Sequence, residues 1–182
     1  MKTIITALSL LLLASTADAA SITHGTASNG NEFIIINGEI VVGDFEKFVT
    51  VVKEHPNANA LILNSNGGSV GEGMTIAQVV KFRGMSTFVL NNNRCYSICA
   101  PIFFSGAKKF IQKGAMLGVH SAHDGVTGLR SDKTNSLITW YFGSLGYDIG
   151  LAEMWIDAEP DKMNFITVEI NKKLNLGIVS ID

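Results

Sequence analysis

The sequence predicts an α/β domain in which short buried strands alternate with amphipathic helices. Apolar runs of strand length recur at residues 33–36, 60–63, 86–90 and 115–119. Between the first three of these runs, apolar residues follow helical spacing over residues 43–54 and 70–82. A chain of 182 residues with 47% hydrophobic and 16% charged residues suffices for one domain with a sizeable core. Repeated strand–helix–strand units favour parallel strands with right-handed crossovers.

Residues that start or stop helices set the expected boundaries. Pro56 follows the end of the first helix, and Gly84 is the expected C-cap of the second. Pro101 fits the first turn of a helix over residues 98–104, where its missing N–H has no partner to lose, and this places Ser97 at the N-cap. The remaining predicted helices cover residues 132–145, 149–157 and 167–176, and residues 121–131 read as a loop.

The first residues have the pattern of a secretory signal peptide. Lys2 precedes an apolar stretch over residues 4–14, and Ala17-Asp18-Ala19 matches a small-x-small cleavage site. We therefore expect a signal peptide over residues 1–19 and a folded domain over residues 20–182. The apolar stretch is too short for a comfortable bilayer span, and no later run reaches about 18 apolar residues. The prediction is a bacterial periplasmic or secreted protein with no stable membrane span once the signal is removed.

Charge and cysteine content exclude some classes of function. A net charge of −2 and the absence of any basic run give no electrostatic case for nucleic-acid binding. The only cysteines, Cys95 and Cys99, are four residues apart. On one helical turn they would lie within disulfide reach, and the alternative is two small thiols that pack in the core. Two ligands are too few for a zinc site.

Three segments carry residue types that acyl transfer at a serine requires. Gly67-Gly68 follows a buried strand and supplies backbone N–H groups, Ser97 lies before a helix, and His120 ends another apolar run. Each has a structural alternative: a tight turn, a capping serine or a buried histidine. His123 competes with His120 as the base. His24 and His55 lie in polar segments that we expect to be exposed.

Together these segments resemble the proteolytic subunit of the Clp protease, and more closely its exported bacterial relatives. The resemblance rests on Gly67-Gly68-Ser69-Val70 with Gly73, on Ser97 among small residues, on Gly106 and on Gly118-Val119-His120. It covers residues 33–125 well and implies the crotonase-like fold, a layered α/β spiral of ββα units in a single domain.

The resemblance also implies roles for individual residues. Ser97 corresponds to the nucleophile, His120 to the base, and the N–H groups of Gly68 and Ile98 to the oxyanion hole. Asp161 corresponds to the acid, although the match needs a two-residue insertion, and Asp157 and Asp124 are alternatives. Two further departures are Asn66, where the family usually has proline, and a shorter segment after His120, which makes a stacked pair of rings doubtful and leaves a homo-oligomer open.

The predicted function is that of an exported serine peptidase that acts on peptides or proteins without metal or organic cofactor. Other enzymatic interpretations are a Ser–Lys peptidase with Lys108 or Lys109 as base, a cysteine nucleophile, and acyl-CoA chemistry on the same fold, which export disfavours. The alternative outside catalysis is an inactive Clp-like binding or assembly protein.

Overall fold

The computed structural model describes residues 19–125, 127–159 and 161–182 of the chain. Apart from Ala19, the predicted signal peptide therefore lies outside the described residues. In the described part of the chain, no helix is long and apolar enough to cross a membrane.

A six-stranded sheet forms the larger layer. Its strands lie in the order β1 (Ser21–Thr26), β2 (Glu32–Asn37), β3 (Ala60–Asn64), β4 (Ser86–Val89), β6 (Lys109–Gln112) and β9 (Ile178–Ile181). The edge pair β1–β2 is an antiparallel hairpin, and every later pair in this sheet is parallel. Parallel pairing of β2, β3 and β4 through α-helical crossovers confirms the arrangement that the alternating pattern predicts.

A smaller sheet carries the segments on which the chemistry was predicted. It contains β5 (Arg94–Tyr96), β7 (Met116–Val119) and β8 (Asn164–Phe165), with β5 parallel and β8 antiparallel to β7. Ser65, just beyond β3, joins the two sheets, because its N–H donates to Arg94 O at 2.7 Å and its carbonyl accepts from Tyr96 N at 3.0 Å. The chain beyond β3 is thus a parallel neighbour of β5.

The described residues form six helices around the sheets: α1 (Asp44–Glu54), α2 (Val70–Arg83), α3 (Cys99–Phe104), α4 (Asp132–Ser144), α5 (Ile149–Asp157) and α6 (Val168–Lys173). Every residue of α3 is buried, and the ring of Phe104 packs edge-to-face with that of Phe142 on α4. Gly84 ends α2 in the left-handed conformation, as expected from its position. Proline at position 101 lies in the first turn of α3, also as predicted.

The structure differs from the sequence prediction mainly in short strands. Five strands were not predicted, namely β1, β5, β6, β8 and β9. These strands have two to six residues, and most are only partly buried, so they lack the continuous apolar run that marks a central strand. The N-cap of α3 is Ile98 and not Ser97 as we expected, so the helix begins one residue later and Ser97 precedes its N-cap.

Candidate active site

Three parallel chain segments end at one edge of the molecule and carry the predicted residues there. Gly67-Gly68 follows the segment that extends β3, Ser97 follows β5, and His120 follows β7. In the register of β5 and β7, Tyr96 lies opposite Gly118, and Ser97 N–H donates to Gly118 O at 3.1 Å. Because the carboxyl ends of parallel strands meet at the same edge, residues far apart in sequence converge here.

Ser97 occupies a strained turn between β5 and α3. Its φ is +53°, in the left-handed region that residues other than glycine rarely adopt. The chain around it is tied on both sides, because a disulfide joins Cys95 on β5 to Cys99 at the start of α3, with Cα atoms 5.1 Å apart. Although the Gly-x-Ser-x-Gly motif is absent, this strand–turn–helix geometry presents a half-buried serine as that motif does.

Glycine is required on the facing loop because the backbones approach closely. Gly67 has φ +101°, and a Cβ there would lie 2.6 Å from the Cβ of Ser97 and 3.2 Å from Ile98 N. Gly68 has φ +130°, and a Cβ there would strike the carbonyl oxygen of Ile40. Ile40 fixes the loop, since its N–H donates to Gly67 O at 2.8 Å and its carbonyl accepts from Ser69 N at 2.7 Å.

The two backbone N–H groups predicted for the oxyanion hole are unpaired. Among the described residues, neither Gly68 N–H nor Ile98 N–H donates a hydrogen bond, whereas Ser97 N–H is used by Gly118. A developing oxyanion requires unpaired donors, and these two lie on the loop that faces Ser97 and on the residue after it. Ile98 also fills the space beside α2, where Gly73 leaves room for its side chain.

His120 is buried, and a backbone carbonyl orients its ring. Its exposed fraction is 8%, and its Nδ1 lies 2.9 Å from Ser121 O. A carbonyl oxygen only accepts, so Nδ1 carries the proton in this contact and Nε2 keeps the lone pair of a base. The ring of Trp155 lies nearly parallel to the imidazole, with centroids 6.3 Å apart.

Asn135 and Trp155 support the segment behind His120, and the sequence analysis missed both. The Asn135 Oδ1 accepts from Trp155 Nε1 at 2.8 Å and from Ala122 N at 2.7 Å. Both side chains are buried. A buried asparagine within an apolar helix face is the signal that could have indicated such a role, because buried amides are retained where they are fully bonded.

The environment of His120 lowers its pKa. Burial is the largest cause, since desolvation disfavours the imidazolium, and the charge of His123 acts in the same direction. The hydrogen bond to the Ser121 carbonyl opposes both effects. His123 itself is exposed, so the structure favours the buried His120 as the base.

The predicted acid lies on a neighbouring loop and does not contact the imidazole. Asp161 is exposed in the turn where Lys162 N–H donates to Glu159 O at 2.9 Å. That loop begins beside His120, because Ala158 O accepts from Ser121 N at 2.9 Å. Neither Asp161 nor Asp157 forms an ion pair with His120 in the structure, so the identity of the acid stays a prediction.

The hydroxyl of Ser97 and the imidazole of His120 are not hydrogen-bonded to each other in the structure. Such contacts are often long without substrate and tighten in the Michaelis complex. Lys109, one candidate for a lysine base, lies on β6 of the larger sheet with its ammonium 5.6 Å from the ring centroid of Tyr147. Both cysteines are in the disulfide, so neither is available as a nucleophile.

A groove of about 730 Å³ lies elsewhere on the molecule, between the two sheets. Its lining includes Met116 and Leu117 from β7, Phe165 from β8 and Ile178 from β9. Neither Ser97 nor His120 borders it, so this groove is separate from the candidate active site.

The sequence of residues 31–137 matches the Clp protease family. The chain belongs to the Clp protease family. The matched span contains the glycine loop, Ser97, Ile98 and His120, whereas Asp161 lies beyond it. Membership of the Clp protease family supports a peptidase activity in general. No curated protein sequence matches the chain.

Solved structures of Clp-like proteases have the same fold. A mutant of ClpP1 from Listeria monocytogenes is 18% identical, with a TM-score of 0.60 over 81% of this chain and 90% of that one. The 1510-N membrane protease specific for a stomatin homolog from Pyrococcus horikoshii is 19% identical, with a TM-score of 0.58 over 81% and 71%. These likenesses confirm the predicted single-domain, Clp-like α/β fold.

Proposed function

We propose that this chain is an exported serine peptidase that hydrolyses peptide bonds in peptides or proteins, with Ser97 as nucleophile and His120 as general base. The observation that carries the proposal is the strained turn at Ser97, which faces the loop with the unpaired Gly68 N–H, precedes the unpaired Ile98 N–H and lies beside the end of the strand that carries His120. Strain at a serine between a strand and a helix is a feature of nucleophile turns.

In the proposed reaction, the Ser97 Oγ attacks the scissile carbonyl carbon while Nε2 of His120 takes the hydroxyl proton. The carbonyl oxygen becomes an oxyanion that accepts hydrogen bonds from Gly68 N–H and Ile98 N–H. The C–N bond then breaks, and the imidazolium gives its proton to the leaving amine. Water attacks the acyl-enzyme with His120 again as base, which releases the acid product and restores Ser97.

The imidazolium that forms twice in this cycle needs a hydrogen-bond acceptor at Nδ1. The Ser121 carbonyl already occupies that role in the structure. We propose Asp161 as the carboxylate of the set, because its loop begins beside Ser121 and because the family resemblance assigns the acid there. A carboxylate adds charge stabilisation that a carbonyl dipole supplies only in part.

Export is the second part of the proposal. Disulfides persist in oxidising compartments and are rare in the cytosol, so the bond between Cys95 and Cys99 supports a periplasmic or secreted protein. The family resemblance also supports a homo-oligomer, which light scattering coupled to size-exclusion chromatography tests directly.

Covalent labelling by a fluorophosphonate probe tests the activity without knowledge of the natural substrate. We expect the wild type to be labelled on Ser97, and Ser97→Ala and His120→Ala to lose labelling. Ser136→Ala, at an exposed serine on α4, is the matched control and should label normally. Equal labelling of wild type and Ser97→Ala would refute the serine-peptidase proposal.

A further inference from the structure

A cluster of three metal-ligating side chains lies away from the candidate active site. His24 on β1, Glu32 on β2 and His55 at the end of α1 place one ligand atom each within 4.8 Å of the others. We propose that this cluster binds a zinc ion, with the two imidazoles and the carboxylate as protein ligands and water in the fourth position. The sequence analysis predicted exposed histidines and no metal, and the fold brings both rings to the protein surface in half-buried positions.

The β1–β2 hairpin creates one half of the cluster. In its register, Thr26 lies opposite Glu32 and His24 opposite Ile34. His24 and Glu32 are therefore diagonal neighbours on one face of the sheet, the face on which Ile34 is fully buried. Their side chains are only 21% and 29% exposed, and the distance from His24 Nε2 to Glu32 Oε2 is 3.7 Å.

The third ligand comes from the helix that packs on this hairpin. α1 contacts β1, and His55 is its C-cap residue, held by a hydrogen bond from its N–H to Val51 O at 3.0 Å. Its ring stacks on that of His24, with centroids 3.6 Å apart and planes within 1°. With the rings stacked, one nitrogen of each imidazole and a carboxylate oxygen of Glu32 lie within 4.8 Å of one another.

A ring nitrogen in the cluster is buried without a partner. The Nε2 of His24 is inaccessible to solvent and has no hydrogen bond with any of the described residues. A buried polar atom of this kind costs free energy unless a ligand, ion or water satisfies it. A cation between the three side chains would satisfy Nε2 and also neutralise the carboxylate beside it.

The donor set and the spacing favour zinc among common cations. Two imidazole nitrogens and one carboxylate oxygen are frequent zinc ligands, whereas calcium and magnesium prefer oxygen alone. Two ligands at about 2.0–2.2 Å from a tetrahedral zinc ion are about 3.3–3.6 Å apart. The 3.7 Å between His24 Nε2 and Glu32 Oε2 is close to this spacing, and the other two distances, which lie within 4.8 Å, would shorten when the ion binds.

Bound zinc would tie the N-terminal hairpin to the end of α1. His24, Glu32 and His55 are not among the residues proposed for catalysis, so the inference does not rest on the proposed peptidase activity. Zinc should therefore raise the free energy of unfolding and leave fluorophosphonate labelling unchanged, because an ion that binds only the folded chain stabilises it by mass action.

Calorimetric titration of the untagged, metal-free protein with Zn²⁺ tests the site. We expect the titration to give one ion per chain. In thermal unfolding at a zinc concentration about 100-fold above Kd, we expect a rise in Tm of about 5–10 °C. Magnesium at the same concentration should leave Tm unchanged. With both cysteines in the disulfide, no thiolate competes for the ion.

Substitutions decide where the ion binds. His24→Gln and His55→Gln should each weaken zinc binding by about 100-fold or more, and Glu32→Gln, which preserves side-chain shape, by at least about tenfold. His123→Gln and Glu54→Gln are the matched controls and should bind zinc like the wild type. Absence of zinc binding by the wild type would overturn the proposal. So would zinc affinity that survives in Glu32→Gln and His55→Gln, or that is lost in His123→Gln, since the ion would then lie elsewhere.

Discussion

At the scale of single residues, the site depends on two side chains held in costly environments. A non-glycine residue at φ +53°, such as Ser97, costs about 1–3 kcal/mol, which the hydrogen bonds and the disulfide around it offset. His120 loses solvation of its charged form, and its pKa falls for that reason. Both costs fit the proposed roles, because a fixed turn would aim the hydroxyl of a nucleophile and burial favours the neutral imidazole that a base requires.

The lowered pKa of His120 predicts the acid side of the pH profile. The base must be neutral, so activity rises with pH through the pKa of His120, and the midpoint of that rise should lie below about 6.5. The rate constant of fluorophosphonate labelling against pH measures it. A midpoint above 7 would contradict the environment described for His120.

His123→Gln tests one cause of that shift separately. The charge of His123 disfavours protonation of His120, so its removal should raise the pKa of His120 and move the midpoint to higher pH. His55→Gln, which lies outside the site, is the matched control and should leave the profile in place. The same shift in both variants would mean that the effect is not local.

The assignment of the acid predicts a difference between two aspartates. Asp161→Asn should slow labelling by at least about tenfold. The loss should stay below the roughly 10⁴-fold seen when the aspartate is the sole partner of the histidine in a triad, because the Ser121 carbonyl still accepts from Nδ1 here. Asp157→Asn should stay within about twofold of wild type. Full activity of Asp161→Asn would show that the carbonyl alone orients the ring.

At the scale of elements, the loop after β3 requires glycine for a steric reason. A Cβ at position 68 would meet the Ile40 carbonyl, so Gly68→Ala must displace the N–H proposed for the oxyanion hole. We expect labelling to slow by about 10²–10³-fold. Gly71→Ala, in the first turn of α2 with open space around it, is the control and should keep normal stability and normal labelling. Equal activity of the two variants would exclude Gly68 from the site.

The disulfide between β5 and α3 should matter more for the turn than for the whole fold. Its closed loop is very short, so the chain-entropy account gives only about 2 kcal/mol of stability. We expect Cys95→Ala/Cys99→Ala to lose about that much in denaturant unfolding, while labelling of the folded protein slows by about 10- to 100-fold because Ser97 is less well held. Normal labelling with a large loss of stability would reverse this interpretation.

At the scale of the whole molecule, the candidate active site lies where the two sheets join. Ser65 bonds to β5, and β5 pairs with β7, so the larger sheet continues into the smaller one through a single residue. The hairpin β1–β2 lies at one edge of the larger sheet, beside β3, and Ala20 at its start is buried, with its N–H bonded to Glu39 O at 2.8 Å.

This position of Ala20 is compatible with the predicted processing. A chain cut after Ala19 would place its new amino group at Ala20, where the Glu39 carbonyl accepts a hydrogen bond. We expect N-terminal sequencing of the exported protein to begin at Ala20, and Ala19→Asp to block processing because the site needs a small residue. Exported protein that still begins at Met1 would exclude the cleavage.

The sequence by itself determined the central strands, the helices and the order of the candidate residues. Long apolar runs and helical periodicity are local patterns, so they could be read at residues 60–63 and 70–82, and the glycine pair, Ser97 and His120 stood out at the ends of such runs. The short strands β5, β6, β8 and β9 carry too few residues for a periodic signal, because their stability comes from pairing with distant chain segments.

Only the tertiary structure decided which groups meet. The Ser121 carbonyl at the imidazole, the Asn135–Trp155 hydrogen bond behind it and the stacked rings of His24 and His55 join residues through backbone direction and packing. No local pattern encodes such contacts, because they depend on strand register and on the packing of a helix against a sheet. For the same reason, the resemblance could propose Asp161 as the acid, whereas periodicity carries no signal for a residue on an exposed loop.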